Sequence, residues 1–171
     1  VFDMEKLRWM NGEYIKAMDF DRYYERALPY IQKIITKPLD LRHIATMVKT
    51  RIEIFPDINE DMIGFFEALP DYSTELYVNK KSKTTLENSL QLLKEVEPLL
   101  SAQEDYSNDA LFALLSAYGK EKGYKTGFIM WPIRIALSGR PMTPAGATEI
   151  MEVLGKEESL KRIADGIRRL A

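Results

Sequence analysis

The residues in this sequence best suited to do chemistry are cations. Arg134 and Arg140 flank a turn built from Ser138, Gly139, Pro141, Thr143, Pro144 and Gly146, where glycine and proline punctuate the chain more densely than elsewhere. Lys120, Lys122 and Lys125 lie just upstream. From Lys120 to Arg140 five basic side chains face one acidic one, a local charge of +4 in a chain whose total is −2. A basic surface confined to one stretch of a mildly acidic protein points to a local anionic partner rather than to general stickiness. Arginine's planar fork can place two hydrogen bonds on one base edge or phosphate, which lysine cannot reproduce.

A further arginine, Arg51, follows a run with helical apolar spacing: Ile44, Met47, Val48, Ile52 and Phe55. Seven residues after Ile44, it falls on the same predicted face. There it either pairs with a carboxylate, snorkels at the edge of the stripe, or faces a groove. The candidates in the turn carry equally plain alternatives. Arg134 could bind a carboxylate, Thr143 could be an ordinary turn residue, and Pro144 could simply start a helix.

Other chemistry is missing. There is no cysteine, which excludes disulfides, thiolate metal sites and Cys-His nucleophiles. The single histidine, His43, cannot form a metal site alone, and no nucleophile elbow lies near it. Neither GxxxxGK nor GxGxxG occurs. Paired acids such as Glu60-Asp61 and Glu157-Glu158 sit at predicted helix starts, where the helix dipole accounts for them. No catalytic and no metal-binding residue is assigned. No apolar run approaches the ~18 residues that span a bilayer, and no signal peptide opens the chain, so the expected compartment is the cytoplasm, with no membrane partner. The chain opens on Val1 rather than Met, as a fragment would.

The elements that must carry these residues read as helices. Asp3 can cap a first helix whose apolar positions include Leu7, Met10 and Tyr14, with Asn11-Gly12 as a weak point in its middle. Asp19 opens a second, with Phe20, Tyr23, Tyr24, Ala27, Leu28 and Ile31 as its stripe and Pro29 expected to bend or shorten it. Asp40 caps a third, reaching Phe55, and Asn59 a short fourth. Further helices begin near Thr84, at Ser107 or Asn108, at Thr126, at Thr148 and at Glu157. The apolar stripes are expected to face interiors. Only Glu75–Val78 looks strand-like. The expectation is an all-α protein of about nine helices in two packed bundles, residues 1–78 and 79–171, joined through the lysine-rich run Asn79–Lys83. Residues 1–75 carry ten basic and fourteen acidic side chains, and residues 76–171 fourteen and twelve, an asymmetry that agrees with two units.

Three segments also carry a resemblance. PIRIALSG, TPAGATEI and LGKEESLKRI resemble the C-terminal end of bacterial glutamyl-tRNA synthetases, and the opening FDMEKLRWMNGEYI looks like the segment that follows their catalytic domain. The likeness covers nearly the whole chain and only the anticodon-binding part of the enzyme. It implies a module that reads the anticodon loop of glutamate tRNA and, in some members, of glutamine tRNA. It also implies a parent class I ligase that uses ATP and magnesium, with no site for either in this chain, whose sequence lacks the HIGH-like and KMSKS-like motifs. Carried over, the RNA-contacting positions are Arg51, Arg134, Thr143 and Pro144, with Ala147 as the small contact after Gly146. Arg51 corresponds to a position associated with the third anticodon base. Many members have Pro-Gly-Leu-Phe after the threonine. Here Pro144-Ala145-Gly146-Ala147-Thr148 is one residue longer and lacks the bulky apolar contact. Nothing demands more than a monomer. The competing expectation is a helical protein-interaction or regulatory domain with no RNA role, for which Phe65, Phe66, Tyr72 and Trp131 could supply the partner surface.

Overall fold

The computed structural model describes residues 3–171. Among them are nine α-helices and no strand: α1 (Met4–Ala17), α2 (Phe20–Gln32), α3 (Leu41–Lys49), α4 (Glu60–Glu67), α5 (Leu86–Ala102), α6 (Asn108–Lys122), α7 (Thr126–Ser138), α8 (Ala147–Leu154) and α9 (Lys156–Leu170). The chain is all-α, as its periodicity predicts. Glu75–Val78 does not extend; Thr74–Tyr77 is a 3-10 turn. No helix among the described residues is long and apolar enough to cross a membrane.

The compact units divide between Ala68 and Leu69, ten residues before the 78/79 boundary expected from sequence. The lysine-rich run is not a linker. Asn79 and Thr84 pair as an isolated antiparallel bridge, and the Asn79 side chain accepts from the Ser82 N–H, so the run closes on itself as a tight turn. Residues 70–77 instead pack with the second unit. The Trp131 indole N–H donates to the Leu76 carbonyl at 2.9 Å, and the Tyr72 and Tyr77 hydroxyls share a 2.7 Å hydrogen bond.

In the first unit, α2 and α3 pack around Tyr23, Ala27, Ile31, Ile44, Ala45 and Val48. The buried Tyr23 hydroxyl donates to the Ala45 carbonyl, and burial pushes its phenol pKa well above the ordinary value. Pro29 does not end α2, which runs through it to Gln32. Two expectations fail here for non-local reasons. α3 stops at Lys49 instead of reaching Phe55. The Asp57 carboxylate takes the N–H groups of Glu53 and Ile54, and the Asn11 amide takes the Glu53 carbonyl, so this backbone is withdrawn from the helical ladder. α1, for its part, does not break at Asn11-Gly12. A Cβ at Gly12 would lie 3.2–3.4 Å from Glu53 and the Ile52 carbonyl, so the missing side chain lets this strip of chain approach. The face that α1 buries is therefore Gly12 and Ile15, with Arg8 clamped between Glu53 (3.1 Å) and Asp57 (3.0 Å). Leu7, Met10 and Tyr14, expected in the core, are exposed, Tyr14 by 54%.

In the second unit, α5 and α9 form the most extensive helix pair, and α7 packs on both. Leu92, Leu93, Val96, Ile133, Ala136, Met151 and Ile163 are fully buried. So is Arg162, at 2% exposure the bulkiest buried side chain among the described residues. Its Nε donates to Glu158, one turn back on α9, at 2.8 Å, and one terminal nitrogen donates to the Leu137 carbonyl at 2.6 Å. That carbonyl belongs to the last turn of α7, where acceptors have no partner within the helix. A buried cation thus closes the end of the helix that leads into the candidate turn.

Both ion pairs can be tested by substitution. Arg162→Ala should destabilise the second unit by about 3 kcal/mol, the low end for removing one partner of a buried pair, because Glu158 keeps some access to water. Urea unfolding read by Trp131 fluorescence in a Trp9→Phe background checks this. At Asp57, burial pulls the pKa up, but hydrogen bonds from the Glu53 N–H, Arg8 and the Ile54 N–H outweigh this and hold it below the ordinary 3.8. A depressed carboxylate adds stability that is full above the unfolded pKa and lost as pH falls through the folded one. Asp57→Asn should therefore flatten the acid limb of the stability curve below about pH 4, measured by thermal melts against pH.

Candidate nucleic-acid interface

α7 ends because Ser138-Gly139 gives it no way to continue. Gly139 takes φ +62° and donates its N–H to the Ile135 carbonyl. The Ser138 hydroxyl donates to the Arg134 carbonyl at 2.7 Å and accepts the Arg140 N–H at 3.1 Å, so the chain turns on a side chain instead of on another helical residue. A Cβ at Gly139 would sit 2.8 Å from the Tyr72 ring, so glycine is favoured on two counts.

The turn folds back over its own helix. Arg134, one turn before the end of α7, donates to the Thr143 hydroxyl at 2.7 Å and to the Pro141 carbonyl at 3.0 Å. Thr143 in turn donates to the Ala145 carbonyl at 2.7 Å, so its one hydroxyl both receives the arginine and closes the turn. Pro144 is buried, and Ala147 is buried as the first residue of α8. The guanidinium also lies over the Trp131 ring, 4.9 Å from the centroid. Arg134 pairs with no carboxylate among the described residues. Both of its hydrogen-bond acceptors are neutral oxygens, so its charge stays uncompensated, and burial lowers its pKa from the ordinary value. Of the five N–H donors of a guanidinium, two are used and three remain for a ligand.

A pocket of about 210 Å³ opens beside it, lined by Ser82, Met130, Trp131, Arg134, Gly146 and Ala147, among others. The structure thus brings Arg134, Thr143, Pro144 and Ala147 together at one turn, with Arg134 and Ala147 on the pocket wall. Trp131, which the sequence suggests only as a partner-surface aromatic, belongs with them. Its place three residues before Arg134, on the same helical face, is the signal that could have found it.

Arg51 is in the first unit. It sits past the end of α3, in a turn closed by its own N–H on the Val48 carbonyl, and its side chain is exposed. The expectation that it shares a desolvated face with Ile44 is corrected, since α3 ends before it. Arg51 has no carboxylate partner among the described residues. Its guanidinium makes no hydrogen bond or ion pair with any described residue.

The second unit thus presents an anchored arginine over an indole beside a pocket, and the first unit an exposed arginine with no side-chain hydrogen bond to a described residue. The family described as "Anticodon binding domain" matches residues 22–167, and the chain belongs to that family. A glutamate–tRNA ligase of Lachnoclostridium phytofermentans is 54% identical over 171 residues, all of this chain and 35% of that protein. One of Clostridium botulinum strain Hall is 46% identical over 170 residues, again 35% of its length. The chain therefore spans about a third of the curated relatives that it matches. A crystal structure of a glutamate tRNA ligase from Elizabethkingia meningosepticum, in complex with its amino acid, superposes with a TM-score of 0.82 at 23% identity. The match covers 99% of this chain and 33% of that one, a likeness of fold.

The anchoring of Arg134 can be tested apart from any ligand. Thr143→Val removes one acceptor and one donor together and should cost about 1.5–3 kcal/mol, the range for a hydrogen bond to a charged group. Thr143→Ser keeps both bonds and should melt close to wild type. Thermal melts of the three proteins, with Trp131 emission as a reporter of the guanidinium above it, check this.

Proposed function

We propose that this chain reads the anticodon loop of a transfer RNA, as the anticodon-recognition part of a glutamate–tRNA ligase. The observation that carries the reading is Arg134. It is held by two neutral oxygens with three donors unspent, above an aromatic wall, in a chain of the anticodon-binding family. Single-stranded loops are recognised by stacking and by hydrogen bonds to exposed base edges, which a fixed planar cation beside a pocket can supply. Thr143 and Pro144 set the register of the turn against α7. Ala147 leaves room where a larger residue would fill the pocket. Arg51, unengaged and exposed, is assigned to the third anticodon base, where glutamate tRNA has C and glutamine tRNA has G.

Amino-acid activation would belong to the rest of such a ligase. The sequence contains neither GxxxxGK nor GxGxxG, and no residue of this chain is assigned to ATP or magnesium. The module would work in the cytoplasm, and one copy suffices for the reading.

The test is a titration of the chain with glutamate-tRNA anticodon stem-loops whose third anticodon base is C or G, at several salt concentrations. Affinity should fall steeply as salt rises. Arg51→Gln should leave the melting temperature unchanged and narrow the preference for C over G by about 1–3 kcal/mol, the range for a good two-point base contact. An equal loss for both loops would make Arg51 a backbone contact. Binding that ignores both salt and anticodon would favour a helical protein-interaction domain instead.

A further inference from the structure

A second pocket, of about 490 Å³, adjoins the one at Arg134; both are lined by Ser82 and Gly127. Its wall carries Lys81 and Lys83 from the turn that precedes α5, and Lys125 from the link between α6 and α7. No carboxylate lines it. None of the three lysines has a hydrogen bond or ion pair through its side chain to a described residue. Gly123, Tyr124, Gly127 and Phe128 complete the wall, so it is cationic on two sides and uncharged elsewhere. Three lysines on one wall concentrate positive charge there, and an anion relieves the repulsion.

The turn itself presents its charge under strain. Lys83 has φ +59°, the one described non-glycine residue with positive φ. A side chain is disfavoured in that conformation, where glycine would be at ease. Its N–H on the Lys80 carbonyl, the Asn79–Thr84 bridge and the Asn88 amide on its own carbonyl hold it there.

We propose that this pocket holds the phosphodiester backbone of the RNA strand whose bases occupy the Arg134 pocket. The inference rests on the anticodon reading and adds a site to it. The lysines supply position and charge and read no base, while Arg134 and Arg51 read bases. The walls shared through Ser82 and Gly127 let one strand run from one pocket into the next.

The experiment uses the full chain and the two anticodon stem-loops as probes. The triple variant Lys81→Ala, Lys83→Gly, Lys125→Ala should bind both loops more weakly by the same factor, with the C-to-G preference unchanged. The slope of log affinity against log salt should become shallower by about 0.7 for each lysine that meets a phosphate, so by about 2 for the triple variant. Lys161→Ala, which removes an exposed charge on α9, should leave the slope as it is. Lys83→Gly alone should raise the melting temperature while weakening binding, which separates lost contact from lost fold. If the triple variant keeps the wild-type slope while wild type still distinguishes the two loops, the pocket is not a phosphate site and the anticodon reading stands. The pocket is likewise ruled out if Lys161→Ala flattens the slope as much per charge. If wild type does not distinguish the loops at all, the reading fails and takes the inference with it.

Discussion

The second unit is arranged around the need to satisfy one buried cation. Water cannot reach Arg162, so its guanidinium must find acceptors within the protein. It finds the Glu158 carboxylate within its own helix and the Leu137 carbonyl on α7. The second contact matters more for the site. It satisfies an acceptor in the last turn of α7 and so steadies the starting point of the turn that returns Thr143 and Pro141 to Arg134. The two arginines do opposite work. Arg162 is buried and neutralised, and holds the frame. Arg134 is half-buried and its hydrogen bonds go to neutral oxygens, so its charge is left uncompensated.

Such an arrangement lowers the cost of recognition in a definite way. A free arginine side chain carries about 2 kcal/mol of rotamer entropy that binding must remove. Two hydrogen bonds and the Trp131 ring have already removed much of it at Arg134. Arg51 has no such anchor. For the proposed RNA contact, the two positions would divide between a preformed contact and one that orders on binding.

How much of this the sequence disclosed depended on how local the cause was. The caps at Asp3, Asp40, Asn59 and Ser107 were legible because each acts on a neighbour three residues away. The stop at Ser138-Gly139 was legible for the same reason. The end of α3 was not, because the Asp57 carboxylate that takes the Glu53 and Ile54 N–H groups is itself held by Arg8, and the Glu53 carbonyl by Asn11, each more than forty residues before its partner. The first apolar stripe misled, since helical spacing says which residues share a face and not whether that face is covered. The lysines suggested the unit boundary because polar runs resemble linkers. Bonds such as those from Trp131 to Leu76 and from Arg169 to Asp71 show which unit residues 70–77 belong to. At the site, Arg134 and Thr143 were each picked out singly, and the sequence held no sign that they bond to one another.

Gly139 and Gly166 differ in how a lineage could ever replace them. At Gly166 the obstacle is one atom: a Cβ would lie 2.7 Å from the Tyr77 hydroxyl oxygen. Loss of that hydroxyl, as in Tyr77→Phe, would clear this closest contact and leave a tighter-than-usual 3.1 Å approach to the Ala136 methyl, so a two-step route through sequence space exists. At Gly139 a change at Tyr72 could remove the ring but not the left-handed backbone, so a residue with a side chain would still bear the cost of a φ near +62°. One glycine is held by its neighbour and can drift when the neighbour drifts. The other is held by the path of the chain itself, and should persist for as long as the turn does.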